Sequence, residues 1–129
     1  MKYKITLILI FLTLFFSGYY SYKYIQNIKK EKSLVFDMLL DEAEGNMSVF
    51  LMGIDTLNIE NIRNRKEYIT KNDTILSKII VKKNNDTLYI NSIVQSLKFK
   101  GLKRVVRSVV IVERDSLGNK RYRLKKIEN

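Results

Sequence analysis

The hydrophobic pattern changes character twice along the chain, near residue 24 and again at Gly53. The first segment has no charged residue from Ile5 to Tyr22, a run of 18 residues, and a cluster of tyrosines marks its end: Tyr19, Tyr20, Tyr22 and Tyr24. A helix needs about 20 apolar residues to cross a bilayer, and tyrosine favours the headgroup level. The pattern therefore predicts an N-terminal transmembrane anchor over residues 1–24.

A cleaved signal peptide and a buried core helix are the alternatives for this segment. A signal peptide would share the basic start, with Lys2 and Lys4, but it requires small residues just before the cleavage site. Here Phe15, Phe16 or Tyr19 stands in those places. The pattern therefore favours an anchor that is retained.

The sequence contains opposing signals for the direction in which the anchor crosses the membrane. Lysines flank both ends of the apolar run and are more numerous after it, which favours a cytoplasmic C-terminal domain. The signal-like start favours export of that domain. The abundance of Ile, Lys and Asn is typical of an AT-rich bacterial gene. We expect a single-pass protein of the bacterial cytoplasmic membrane with an extracytoplasmic C-terminal domain.

The second segment, residues 25–52, keeps a helical period. Apolar side chains recur at intervals of three and four positions, broken only by Lys32, and they are Ile25, Ile28, Val35, Phe36, Leu39, Leu40, Ala43, Met47, Phe50 and Leu51. Asp37, Asp41 and Glu44 follow the same period on another face. This predicts an amphipathic helix that continues the anchor, so that residues 5–52 would span about 70 Å at ~1.5 Å per residue.

After Gly53 the pattern changes to short apolar stretches rich in β-branched residues. Four strands are predicted, at 74–82, 87–94, 105–114 and 120–127, with tight turns at "KNND" and at "DSLGN", where Gly118 can take a left-handed conformation. The third strand is apolar at its centre on both faces, which indicates an interior position. Residues 53–129 are therefore predicted to form a small antiparallel β domain packed on the helix, an α+β fold.

The composition excludes most catalytic chemistry. The chain has no cysteine and no histidine, which removes disulfides, thiolate metal sites and the commonest general base. Its five glycines do not form a phosphate-binding loop. An acidic row of Asp37, Asp41, Glu42 and Glu44 could bind a divalent cation, but a solvated helix face is the favoured interpretation. We expect no enzyme activity, no cofactor, no metal and no small-molecule substrate.

Charge divides the chain into three blocks within a net charge of +11. Residues 1–32 carry +5, residues 33–62 carry −6 without a single base, and residues 63–129 carry +12. Two basic clusters in the last block are candidates for polyanion contact, and their residues are Lys98, Lys100, Lys103, Arg104, Arg107, Arg121 and Arg123. Such clusters can bind nucleic-acid phosphates or an anionic membrane, while wet faces of strands are the plainer interpretation.

Two stretches of the chain carry a resemblance to a known family. The helix stretch "LLDEAEGNMSVFLMGI" (39–54) and the closing stretch "FKGLKRVVRSVVIVERDSLGNKRYRLKKI" (99–127) are similar to segments of type IV pilin-like proteins, in particular minor pilins and secretion pseudopilins. The resemblance implies a membrane-anchored structural subunit with pilin-like or secretion-complex partners. Its helix stripe would pack in the assembly through Ile28, Val35, Phe36, Leu39, Leu40, Ala43 and Phe50.

The chain departs from the family in its first residues. No glycine precedes Ile5, where prepilin peptidase would cut, and no acidic residue occurs before Glu31.

The alternative hypothesis is an envelope-anchored binding module whose basic β domain contacts DNA or another polyanion.

Overall fold

A computed structural model describes residues 2–58 and 61–129. One long helix, α1 (Lys2–Met52), is followed by a short 3-10 helix (Ile54–Thr56). Five strands then follow: β1 (Arg65–Lys71), β2 (Ile75–Asn84), β3 (Thr87–Ser96), β4 (Lys103–Arg114) and β5 (Lys120–Glu128). The α+β fold predicted from the sequence is confirmed, with five strands in place of four.

The chain divides into two compact units between Leu34 and Val35, which lies inside the predicted amphipathic segment 25–52. The first unit is the N-terminal part of α1. Its apolar side chains are exposed on every side, with Leu7, Phe11 and Leu14 each about two-thirds exposed or more. A helix that is apolar all round requires an apolar solvent or a partner. Its length and composition make it a candidate membrane span. Signal sequences meet the same criteria of length and composition.

The second unit consists of the rest of α1 and a single antiparallel sheet. The strand order is β1-β2-β3-β4-β5, so every strand pairs with its neighbour in sequence. Buried side chains from α1, at a spacing of four residues, meet buried side chains from the sheet. They are Leu39, Ala43 and Met47 of α1 with Val81, Leu88, Ile90, Val94, Val106 and Val110 of the sheet.

Small side chains occupy the middle of this helix-to-sheet contact. Ala43, Ser92 and Ser108 are almost completely buried, which lets the helix backbone approach the sheet closely. The Ser108 hydroxyl donates a hydrogen bond of 3.2 Å to the Met47 sulfur, so a polar group in the core finds a partner on α1.

The turns between strands are held by local side-chain chemistry. In the β1–β2 turn, the Asn72 side-chain oxygen accepts hydrogen bonds from the backbone N–H groups of Thr74 and Ile75 at 2.9 and 2.7 Å. The β2–β3 turn is tight, with Asn85 at a φ of 52°, and Gly118 in the β4–β5 turn has a φ of 81°. Both hairpins predicted from the sequence are confirmed, including the left-handed glycine.

Candidate interaction surfaces

The sheet presents two different faces, which we call the covered face and the open face. The covered face packs against α1 and contains the buried sheet residues Val81, Ile90 and Val106. Alternation along each strand places the intervening residues on the open face, opposite α1. The register then groups the open face in cross-strand rows, such as Lys82 beside Tyr89 and Tyr89 beside Val109.

The predicted helix stripe lies largely against the protein's own sheet. Leu39 and Ala43 are fully buried in the core, and Val35, Leu40 and Phe50 are partly buried around it. The Phe50 ring lies 5.7 Å from that of Tyr68 on β1. This part of the stripe is therefore occupied within the subunit. Ile28 belongs to the first unit, where it is half-exposed.

Arg104, a member of the predicted basic cluster, packs against Phe36 of the same stripe and is not grouped with the other basic residues. Its guanidinium carbon lies 3.7 Å from the centre of the Phe36 ring, which is a close cation–π stack. Its Nε is buried and, within the described part of the chain, has no hydrogen-bond partner. Arg104 is therefore a helix-to-sheet contact and not a ligand-facing cation.

The remaining predicted basic residues separate into two places. Lys98 and Lys100 lie in the β3–β4 connection, where the Lys98 ammonium is 5.4 Å from the centre of the Phe99 ring. Lys103, Arg107, Arg121 and Arg123 all have open-face positions in the register of β4 and β5. Four of the seven predicted residues thus share one surface.

Strands β1 and β2 add basic residues to the open face that the sequence-based cluster did not include. Alternation places Arg65 and Lys71 of β1, with Lys78 and Lys82 of β2, on this face. Lys126 joins them because the β-bulge at Val109/Val110 pairs it with Val109. A period of two along the predicted strand β2 would have found Lys78 and Lys82. Arg65 and Lys71 lie in β1, a strand that the sequence pattern did not reveal.

Three carboxylates offset part of this charge. Glu67 pairs with Arg65 and with Lys78, the latter at 3.3 Å, Glu113 pairs with Arg123 at 3.0 Å, and Glu128 pairs with Lys126. A hydrogen bond from Lys78 lowers the pKa of Glu67, and one from Lys126 lowers the pKa of Glu128. The open face carries nine bases and three acids, so six positive charges remain.

The open face also carries apolar side chains on its central strands. Ile93 lies opposite Val105, and Tyr89 lies opposite Val109, on either side of the Asn91–Arg107 pair in the β3–β4 ladder. Ile80 of β2 is only 7% exposed although it lies outside the core under α1. The open face therefore mixes apolar and basic side chains, and Lys82, Lys103 and Arg107 stand on the strands next to β3.

The side of α1 that faces away from the sheet, here called the outer face, has a different composition. It contains exposed apolar side chains, with Met38 48%, Val49 71% and Met52 82% exposed. The exposed acids Asp37 and Asp41 lie on the same side. At about 3.6 residues per turn these positions are opposite Leu39, Ala43 and Met47.

The acidic row predicted on the helix is divided by the fold. Asp37, Asp41 and Glu42 are exposed, while Glu44 is half-buried and accepts a hydrogen bond of 2.7 Å from the Asn129 side chain. Among residues 2–58 and 61–129, no group of three or more acids is close enough to hold a metal ion.

A small cleft lies between α1 and the β1–β2 edge. It has a volume of about 140 Å³, and Glu42, Asn46, Tyr68 and Asn72 are among its lining residues. The Tyr68 hydroxyl is buried and, among the residues described, has no hydrogen-bond partner. The cleft is of a size for a few water molecules.

Comparisons with known proteins returned no relative of this chain. No protein-family model, no curated protein and no solved structure matches it. The arguments for function therefore depend on the surfaces described above.

Proposed function

We propose that the chain is a non-enzymatic structural subunit, held in the bacterial cytoplasmic membrane by α1 and similar in kind to a minor pilin or secretion pseudopilin. It packs through α1 against pilin-like or secretion-complex subunits, with the sheet on the extracytoplasmic side. The observation that carries the proposal is the difference between the two parts of α1. The run from Ile5 to Tyr22 is apolar and exposed all round, whereas the part from Val35 onward buries one side under the sheet.

The subunit's own sheet covers the apolar stripe of α1, so packing against other subunits requires different residues. Because Leu39 and Ala43 are enclosed by the subunit's own sheet, contact with neighbours falls to the apolar residues of the first unit and to the outer face of α1. Met38 and Val49 are the exposed positions from which to detect it.

The test is site-directed cross-linking in native membranes. The chain has no cysteine, so Val49→Cys and Met38→Cys provide single reactive thiols without background. A bifunctional maleimide should produce a band at twice the mass of the 15.3 kDa subunit, or adducts with thiol-bearing pilin-like proteins identified by mass spectrometry. Leu39→Cys, which is fully buried, is the matched control and should remain monomeric. Monomer alone at every exposed position would count against the proposal.

The second candidate is a membrane-anchored module that binds DNA or another polyanion through the open face. The six uncompensated positive charges of that face favour it. It predicts that the detergent-solubilised full chain binds a DNA duplex with a steep salt dependence. Exchange of Lys103 and Arg107 for Ala should reduce that dependence, while exchange of Lys98 and Lys100, which lie off the face, should change it less. Binding that is absent at low salt would exclude this function.

A further inference from the structure

The open face of the sheet has no layer of α1 over it. Apolar side chains on a sheet face are stable in water when another element covers them, and α1 covers only the opposite face. The cross-strand pairs Ile93–Val105 and Tyr89–Val109 lie outside the core under α1, with Tyr89 44% exposed. Beside them are cations, of which Lys82 and Lys103 take part in no ion pair with another described residue, while Arg107 lies opposite Glu128 and helps to lower the pKa of that carboxyl.

The outer face of α1 is complementary to it in both charge and apolarity. Asp37 and Asp41 lie beside the exposed apolar residues Met38, Val49 and Met52. No basic residue occurs between Ser33 and Ile62, so this part of α1 offers no like charge to the open face. A subunit cannot join its own two surfaces, because its sheet lies between α1 and the open face.

We propose that the outer face of α1 of one copy docks on the open face of the sheet of a second copy. The proposal rests on the structural role proposed above and names the partner as a second copy of this chain. The neighbour's helix supplies the missing layer: Met38 and Val49 contact the apolar pairs Ile93–Val105 and Tyr89–Val109, while Asp37 and Asp41 meet Lys82, Lys103 and Arg107. Each copy then uses one surface as donor and the other as acceptor.

Dimensions agree with this arrangement. A helix with its side chains is about 10–12 Å wide, and strands lie about 4.8 Å apart, so one helix covers the middle two or three strands. Lys82 of β2 and Lys103 and Arg107 of β4 then lie beside the docked helix, within reach of its acidic residues. The contact is heterologous, with different surfaces on the two copies, and repetition therefore gives a row of subunits. Anchoring in one membrane raises the local concentration, so an interface of modest area is sufficient.

The apolar side chains of the open face favour a protein partner over a nucleic acid. A phosphate backbone would use the cations, but it has no use for Ile93, Val105 or Ile111. Single strands bind through several stacked aromatic side chains, and Tyr89 is the aromatic residue that alternation places on the open-face positions of β1–β5.

The experiment pairs two differently tagged full-length copies in the same membrane. One carries Val49→Cys on the outer face and the other Tyr89→Cys on the open face, and a short bismaleimide is added. When the two variants are expressed together, the yield of cross-linked heterodimer should be at least five-fold higher than the yield of cross-linked homodimer from either variant expressed alone. Leu117→Cys, 84% exposed in the β4–β5 turn, replaces Tyr89→Cys in the matched control and should give background only. Equal cross-linking with Leu117→Cys, or cross-links mainly between two Val49→Cys copies, would overturn the proposal.

Charge reversal tests the same contact without relying on proximity alone. Asp37→Lys with Asp41→Lys should reduce the Val49–Tyr89 cross-link several-fold, as should Lys103→Glu with Arg107→Glu. A chain carrying all four changes should recover it, since every interface then has opposite charges again. Loss without recovery, or binding to DNA or anionic vesicles that responds to the sheet changes but not to the helix changes, would contradict a second copy as partner. If complexes with other subunits persist while this cross-link is absent, the inference fails and the structural role stands.

Discussion

Arg104 shows how one residue can be misassigned when its strand is known but its partner is not. In sequence it lies between Lys103 and Arg107, and its charge suggests a common role. The fold turns it to the covered face, where its planar guanidinium lies on Phe36 of α1. The aliphatic stem and planar guanidinium of an arginine suit that position because they fill space against an aromatic ring at the rim of the core.

We expect Arg104 and Phe36 to be energetically coupled. A double-mutant cycle with Arg104→Met and Phe36→Leu should give a coupling free energy of about 0.5–2 kcal/mol, because the stack is partly desolvated. Chemical denaturation of the four proteins measures it. Arg104→Lys should recover only part of the stability, since an ammonium lacks the flat surface. Additive single-mutant effects would contradict the stack.

Glu67 should make stability depend on pH. Its hydrogen bonds from Lys78 and Arg65 lower its pKa in the folded state below the ordinary value of 4.5. The stabilisation is therefore present above the unfolded pKa and is lost as the pH falls through the folded one. Between about pH 5 and 3 the melting temperature of Glu67→Gln should fall less than that of the wild type. The difference should disappear when Arg65 and Lys78 are both changed to Met, and its persistence would assign it to another group.

At the scale of single residues, alternation along β4 could be predicted and the bulge could not. The sequence separates Val106, Ser108 and Val110 from Val105, Arg107 and Val109, and the burial pattern follows that division. The same alternation along β5, without a bulge, would place Lys126 on one face with Tyr122 and Leu124. The bulge inserts one residue opposite Val109/Val110, so Lys126 moves to the open face. Nothing in the local sequence requires an extra residue there.

Among the elements, the second half of α1 offers a matched pair of substitutions on opposite sides. Ala43 is fully buried against the sheet, while an added methyl group at Gly45 would meet nothing within 4 Å. Ala43→Leu should destabilise the fold by about 1–3 kcal/mol through overpacking. Gly45→Ala should stabilise it by about 0.5–1 kcal/mol through helix propensity. Urea unfolding in detergent measures both, and equal effects would contradict the burial of one side.

Strand β1 was absent from the sequence-based fold for a physical reason. Its sequence, "RKEYITK", is charged at four of seven positions, and all of its residues except Tyr68 are exposed. It lies at the edge of the sheet and pairs only with β2. Edge strands are commonly protected by charge, so the property that suits β1 to its place also removes the apolar signal by which strands are found.

For the molecule as a whole, retention in the membrane should depend on the apolar run. Leu12→Lys places a charge at the centre of the candidate span, at a cost of about 2.5–3.5 kcal/mol for insertion. The fraction of protein that resists alkaline carbonate extraction should fall sharply. Tyr24→Lys, at the end of the run, is the matched control and should leave that fraction nearly unchanged. Equal extraction of the two variants would exclude the anchor.

The sequence predicted the fold class and the helix but not the two surfaces. Periodicity alone identifies Leu39 and Ala43 as members of an apolar stripe, and it is silent on whether that stripe faces the subunit's own sheet or a neighbour. The open face needs the pairing of β1 with β2 and the bulge in β5 before Lys71, Lys82 and Lys126 can be placed on the same face as Arg107. Such information is held in the register and not in local composition.

The strand order has a consequence for how the chain is made. Each strand pairs only with the one that precedes it, so a chain emerging N-terminus first can add hairpins in the order of synthesis and never has to wait for a distant segment. When β4 has emerged, the strands that contribute to the core under α1 are already present. The protein is thus suited to folding as it is delivered, with β5 closing the edge last.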